Sequence, residues 1–264
     1  MAAPTLVNHG GGSTDAGGAW TATCFAPAAS GNIIIFYAVQ CGGTNWAVTS
    51  ADQGQEVGST TNITSLAGTS GSWTRLDFEY GAGNCKTLVY IGRSTGTSAP
   101  VITGSNSTSE DLYWAFLEYS GVSTGTTLAD VIENTSPTET GVLNGSNLTV
   151  QSVQWAGSII HAPLTTTGDD RFGVMLGFVT DAVTLGTPSS PWQSWSFYSS
   201  SSGTDGSVAM WKADMPSATS TTIETKAFSP STPGYGKSIS FALLPVYTAP
   251  PAAGYPYTGG GYYP

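Results

Sequence analysis

Residues 112–122, LYWAFLEYSGV, constrain the fold more than any other stretch, because both faces of this predicted strand are apolar. Side chains alternate between the two faces of a strand. One face carries Trp114, Phe116 and Ser120, and the other carries Tyr113, Ala115, Leu117 and Tyr119. A strand of this kind is typical of a sheet that is covered on both sides. We therefore predict that it lies at the centre of the fold and ends at the turn signal Ser120-Gly121.

Shorter strand patterns recur along the rest of the chain between turns rich in Gly, Ser and Asn, and no stretch shows a sustained helical period. Before the central strand they lie at residues 19–25, 32–39, 46–49, 62–66, 73–80, 86–92 and 100–104. After it they lie at residues 148–153, 157–161, 172–180, 193–199, 208–213, 221–227 and 238–244. Strands at short, regular spacing predict an all-β fold, an antiparallel β-sandwich that forms a single large domain over residues 19–246.

The two ends of the chain differ in composition from the predicted domain. Residues 1–18 are interpreted as a Gly-rich leader with little to bury. Residues 247–264, YTAPPAAGYPYTGGGYYP, carry no charge and cannot form a core of their own. We interpret them as an extended arm whose tyrosines dock on a neighbouring subunit, because Tyr gives a large contact area at low entropy cost; a disordered tail is the alternative. The predicted partner-binding residues are Tyr247, Tyr255, Tyr257, Tyr262 and Tyr263.

The charge of the chain excludes several classes of partner. The formal net charge is −10, and charged residues make up only 9 % of the chain, against about 25 % in ordinary soluble domains. No basic cluster is present, so neither nucleic acid nor an anionic membrane surface is an expected partner. No segment approaches the roughly 18 apolar residues of a membrane span. Residues 1–12 also lack the features of a Sec signal peptide, which predicts synthesis in a cytoplasm with no Sec route out.

Cys24, Cys41 and Cys85 do not follow a metal-binding pattern. No CxxC spacing occurs, and His9 and His161 are the only histidines, so neither a zinc site nor any cofactor is predicted. Buried thiols that act as small hydrophobic residues are the favoured interpretation. One disulfide with one spare thiol is the alternative.

Catalytic patterns are absent from the sequence, which predicts a protein that is not an enzyme. There is no Gly-x-Ser-x-Gly turn, and His161 lies at a strand end, where a structural imidazole is favoured over a general base. The acidic pairs at residues 110–111 and 169–170 are adjacent, so on a strand their side chains would point to opposite faces, unlike the two carboxylates of a glycosidase. A loose calcium site at Asp169 or Asp205 is the alternative to solvated turn carboxylates, although no EF-hand-like spacing is present.

Glu118 is the one carboxylate inside a strongly apolar strand. Because a buried polar group needs hydrogen-bond partners, we predict that Glu118 accepts hydrogen bonds from a neighbouring turn. A catalytic role would require a cleft, which the sequence does not indicate.

The segment PWQSWSFY at residues 191–198 is a candidate ligand surface. Trp192, Trp195 and Tyr198 could stack on sugars, with Gln and Ser alongside as hydrogen-bonding groups. Packing of these rings in the core or at an interface is the favoured alternative, because Trp is more often found inside a protein.

Several short motifs resemble a group of β-sandwich domains that is common in bacteriophage virion proteins. They are WTRL at residues 73–76, LVY at 88–90, LEYSGV at 117–122, TTTGD at 165–169 and LLP at 243–245. The similarity spans roughly residues 19–246 and implies a jelly-roll-like, mostly non-catalytic domain.

Together, the resemblance and the composition predict a non-enzymatic virion protein, either a capsid decoration or a tail accessory subunit. It would be located in the virion, would contact other capsid or tail subunits and would form a homo-oligomer. A carbohydrate-binding module that adsorbs the virion to a host cell-surface glycan is the alternative, and a hydrolase is the least favoured.

Overall fold

The structure is a computed structural model that describes residues 3–14, 18–41, 46–47, 62–66, 73–80, 85–106, 111–133, 149–155, 158–179, 190, 192–199, 207–215, 218, 220–226 and 234–247. Its first nine strands are β1 (Thr5–Thr14), β2 (Gly18–Thr23), β3 (Ile33–Cys41), β4 (Trp46–Ala47), β5 (Ile63–Thr64), β6 (Thr74–Tyr80), β7 (Cys85–Ser94), β8 (Val101–Asn106) and β9 (Asp111–Ser120). A four-residue helix, α1 (Leu128–Val131), leads into β10 (Ile132–Glu133). The remaining strands are β11 (Thr149–Trp155), β12 (Ser158–Thr165), β13 (Arg171–Val179), β14 (Gln193–Ser199), β15 (Ser207–Met215), β16 (Ser220–Lys226) and β17 (Gly234–Leu243).

These strands form antiparallel sheets, which confirms the prediction of an all-β sandwich. The central sheet has the order β1-β9-β3-β7-β5, with β6 also paired to β7. The second sheet has the order β10-β17-β13-β15-β14, with β11 also paired to β17. A small sheet has the order β2-β8-β4, and β12 pairs with β16. Each strand predicted from the sequence has a counterpart, whereas β1 and β10 were not predicted.

The central sheet is covered on both faces, as the two apolar faces of β9 predict. One core lies between the central and second sheets, where the Tyr119 and Phe172 rings pack edge to face at a centroid distance of 5.2 Å. The other core lies between the central and small sheets and contains Phe36 packed on Phe116, with ring centroids 4.9 Å apart. Side chains of β9 alternate between these two cores, so β9 is a middle layer of the fold.

Residues 1–18, interpreted as a Gly-rich leader, contain a strand that was not predicted, although most of their described residues are exposed, as expected for a segment with little to bury. Residues Thr5–Thr14 form β1 and pair with β9 along its length. Gly12 lies opposite Trp114, and a Cβ added at Gly12 would come within 2.7 Å of Trp114 Cζ2. Glycine therefore lets the backbone of β1 approach the indole ring. This strand was missed because Gly disfavours strands in general and gives no alternating pattern.

Candidate partner-binding site

Residues 244–246, which follow β17, are fixed to the segment that joins β9 to α1 and to the last residue of α1. Ser123 N donates to Leu244 O at 2.8 Å, Leu244 N donates to Val131 O at 2.9 Å, and Val246 N donates to Gly121 O at 3.0 Å. The predicted arm at residues 247–264 therefore begins at a position that is held by backbone hydrogen bonds to the first half of the chain.

Tyr247 and Val7 are the exposed large hydrophobic residues among those the structure describes, at 71 % and 42 % exposure. Val7 lies at the bulge in β1, where the register with β9 shifts. The two residues lie at the same end of the central sheet, because Leu6 pairs with Tyr119 at the end of β9 and Gly121, just after β9, accepts the hydrogen bond from Val246. We call Val7, Gly121, Val246 and Tyr247 the arm root. Tyr255, Tyr257, Tyr262 and Tyr263 lie outside the described residues.

Gly121 has the backbone conformation that brings the two parts of the arm root together. Its φ is +70°, a left-handed value that favours glycine. A Cβ at this position would lie 3.2 Å from Ala3 O. The Ser120-Gly121 turn signal after the central strand therefore corresponds to a position where the backbone conformation favours glycine.

Arg93 is partly buried and reinforces the base of the arm root. Its Nη1 donates to Gly31 O at 2.7 Å, and its Nη2 donates to Ser123 O at 2.6 Å and Gly125 O at 3.0 Å. Burial lowers the pKa of Arg93 from its usual value. The guanidinium thus holds the same segment to which residues 244–246 are fixed. Sequence reasoning missed this residue, although Arg93 is one of only seven basic residues in the chain and follows an apolar strand run.

Glu118 is fully buried and holds the segment between β2 and β3, as predicted. Its Oε1 accepts hydrogen bonds from Ala28 N at 2.8 Å and from Asn32 Nδ2 at 2.6 Å. Its Oε2 is buried and has no hydrogen-bond partner among the described residues. Burial raises the pKa of the nearby Cys24 thiol, and the Glu118 carboxylate adds to this effect. Cys24 is therefore held as a neutral thiol, which is a poor nucleophile.

Glu133 in β10 and Arg171, the first residue of β13, form an ion pair. Glu133 Oε2 accepts a hydrogen bond from Arg171 Nε, and Glu133 Oε1 accepts one from Thr167 N at 2.7 Å and another from Thr167 Oγ1. Burial raises the pKa of Glu133, but these hydrogen bonds outweigh it and the net pKa is lowered. Asp169 Oδ1 accepts a hydrogen bond from Ala218 N at 3.0 Å. The carboxylates of Glu133 and Asp169 therefore anchor the turn before β13 to other segments of the chain.

Of the three candidate sugar-binding residues, the structure describes the side chain of Trp192 alone, which packs inside the protein, as the favoured interpretation expects. Trp192 is only 3 % exposed, so its indole ring offers no face to a sugar in this structure. Trp195 and Tyr198 lie in β14, an edge strand of the second sheet, and the register of β14 with β15 shifts at Trp195. The side chains of these two residues lie outside what the structure describes, so the sugar-binding prediction now rests on them alone.

The candidate catalytic and metal-binding residues do not come together in the part of the chain that the structure describes. No group of three or more His, Cys, Asp or Glu side chains is found there. His9 is exposed on β1. His161 and Asp111 lie in strands, but their side chains, like all of Glu110 and Asp205, fall outside the described part.

No protein-family model matches the chain, and no curated protein or solved structure is detectably similar to it. Within the described residues, no helix has the length and apolar character needed to span a membrane. The fold and this site define an antiparallel β-sandwich protein with a fixed aromatic arm root.

Proposed function

We propose that this protein is a non-enzymatic structural subunit of a bacteriophage particle, displayed as a capsid decoration or a tail accessory subunit. In this proposal the arm that begins at Tyr247 joins the sandwich to neighbouring subunits. The resemblance of five short motifs to virion β-sandwich domains supports the location on a particle. The low content of charged residues, 9 % of the chain, is consistent with it.

The observation that carries the proposal is the exposure of Tyr247 at a fixed exit point. An aromatic ring that is 71 % exposed leaves a large apolar area in water, and burying such an area on a partner is a main source of interface energy. Val246 is held by Gly121, so the ring next to it starts from a restricted position. Binding then costs less conformational entropy than it would from an unrestrained chain.

The sequence of the arm extends this surface. Four further tyrosines and four prolines follow Tyr247 in the last seventeen residues, with no charged side chain among them. Prolines favour extended backbone, and extended segments bind partners along sheet edges and grooves. A neighbouring copy or another virion subunit is the expected partner.

Truncation after Val246 tests the proposal. We expect the truncated chain to melt within about 3 °C of the full chain, because both cores lie before Val246. We expect it to self-associate less in sedimentation velocity experiments and to incorporate less into particles.

Two point variants refine this test. Tyr247→Ser should weaken association in the same direction, whereas Tyr247→Phe keeps the ring and serves as the matched control. Incorporation and association of the truncated chain at full-length levels would contradict an assembly role for the arm.

A further inference from the structure

Cys41 and Cys85 lie directly opposite each other in the central sheet. Cys41 is the last residue of β3, and Cys85 is the first residue of β7. The ladder between these strands runs from Ile33 opposite Arg93 to Cys41 opposite Cys85 without a shift in register. The register therefore brings two of the three cysteines of the chain to one position at the end of a ladder.

We propose that Cys41 and Cys85 form a cross-strand disulfide when the protein meets an oxidising environment. Residues directly opposite in an antiparallel pair have Cα atoms about 4.5–5.5 Å apart, depending on the hydrogen-bonding site. A disulfide accepts Cα separations of about 4.4–6.8 Å. Both kinds of pair fall in this window, so the bond requires no rearrangement of the two strands. This inference does not depend on the proposed function.

The oxidant is a low-molecular-weight disulfide such as glutathione disulfide. One protein thiolate attacks a sulfur of that disulfide, which releases one glutathione thiolate and leaves a mixed disulfide on the protein. The second protein thiolate attacks the protein sulfur of the mixed disulfide and releases the second glutathione. Two electrons pass from the cysteine pair to glutathione disulfide, and the two thiol protons end on the two glutathione molecules.

Cys24 is the spare thiol in this scheme. It is 5 % exposed and packs in the core between the central and small sheets. Its backbone N donates to Pro100 O at 2.8 Å, which holds it next to β8. The attack on an oxidant needs an accessible thiolate, so Cys24 should not react in the folded protein.

The bond would close the chain between positions 41 and 85, a segment that contains β4, β5 and β6. A cross-link over a loop of this length restricts the unfolded chain and stabilises the folded one. For a domain of this size we expect the melting temperature of the oxidised protein to exceed that of the reduced protein by roughly 5–15 °C.

Thiol counting on the full chain tests the proposal. The protein is equilibrated with glutathione disulfide or with a reductant, then unfolded and alkylated, and its free thiols are counted by mass spectrometry. We expect three free thiols after reduction and one after oxidation, with Cys24 alkylated and a peptide pair that joins Cys41 to Cys85. Three free thiols in the oxidised sample, a disulfide that contains Cys24, or a disulfide-linked dimer would each overturn the proposal.

Three variants sharpen the result. Cys24→Ser is the matched control and should keep both the disulfide and the rise in melting temperature on oxidation. Cys41→Ser and Cys85→Ser should each lose the rise. A full rise in the melting temperature of either variant on oxidation would overturn the claim that this disulfide stabilises the protein. Should both variants fail to fold, the peptide map of the wild-type protein decides the pairing.

Discussion

Asn32 Nδ2 donates a hydrogen bond of 2.6 Å to Oε1 of Glu118, which is fully buried in the strand at the centre of the fold. The same oxygen accepts a hydrogen bond from Ala28 N. One carboxylate thus fixes the connection between β2, in the small sheet, and β3, in the central sheet. It positions two layers of the sandwich with respect to each other.

Glu118→Ala should destabilise the protein by roughly 2–4 kcal/mol, because it leaves two donors in a partly buried site without their acceptor and opens a cavity in the core. Asn32→Ala is the matched control, since it removes only one of the two hydrogen bonds and should cost about 1 kcal/mol. Urea denaturation monitored by Trp fluorescence measures both variants. A Glu118→Ala protein with wild-type stability would show that the carboxylate does not hold this connection.

The glycines of β1 provide a second test, because their neighbours differ. Gly12→Ala should cost roughly 1–3 kcal/mol, since its Cβ would press on the Trp114 ring. Gly10→Ala is the matched control, because its Cβ would meet only Phe25 Cδ1 at 3.5 Å, an ordinary contact. Ala also loses less backbone entropy than Gly on folding, so Gly10→Ala should be neutral or slightly stabilising. Equal effects of the two variants in thermal denaturation would argue against close packing of β1 on Trp114.

Alternation of side chains predicts the core of this protein well, and β9 shows why. Tyr119 is at an odd position of this strand and Phe116 is at an even one. Each side chain lies in the core on the side that alternation predicts for it. Glu118 was also predicted correctly, because an isolated carboxylate in an apolar strand must find donors. These inferences need only local sequence and the cost of burial.

Other features depend on contacts between distant segments and could not be read from the sequence. β1 was missed because a feature such as Gly12 is explained only by the Trp114 ring of another strand. Arg93 donates hydrogen bonds to carbonyl groups in two separate connections between strands. Every residue has a carbonyl group, so no local sequence pattern identifies the acceptors.

Trp192→Ala should lower stability by roughly 3–5 kcal/mol, as expected for truncation of a buried Trp, whereas Trp192→Phe should cost less. Chemical denaturation gives both values. A Trp192→Ala protein as stable as the wild type would contradict the burial of this ring.

Glycan binding at β14 stays a prediction, and Trp192 cannot test it because its truncation perturbs the fold. A Trp195→Ala, Tyr198→Ala double variant should abolish any binding that the wild-type protein shows on a glycan array, without a change in melting temperature. The absence of glycan binding by the wild-type protein would remove this second function.

The ion pair between Glu133 and Arg171 should make stability dependent on pH in the acid range. The pKa of Glu133 in the folded protein lies below its ordinary value of 4.5. Folding therefore releases a proton at intermediate pH, so the stabilisation is complete above the unfolded pKa and is lost as pH falls through the lower folded pKa. Glu133→Gln removes the charge but keeps an oxygen that Thr167 N can use.

We expect Glu133→Gln to cost roughly 1–2 kcal/mol at pH 7 and almost nothing once the pH has fallen below the lowered folded pKa of Glu133, where the wild-type carboxylate is itself protonated. Melting temperatures of the two proteins, measured between these pH values, should converge as the pH falls. Hydrogen bonds from Thr127 also lower the pKa of Asp130. Because Asp130 is present in both proteins, its contribution to the pH dependence cancels in the difference between their melting temperatures. A difference in melting temperature that stays constant from neutral to acid pH would show that the charge of Glu133 does not contribute to stability.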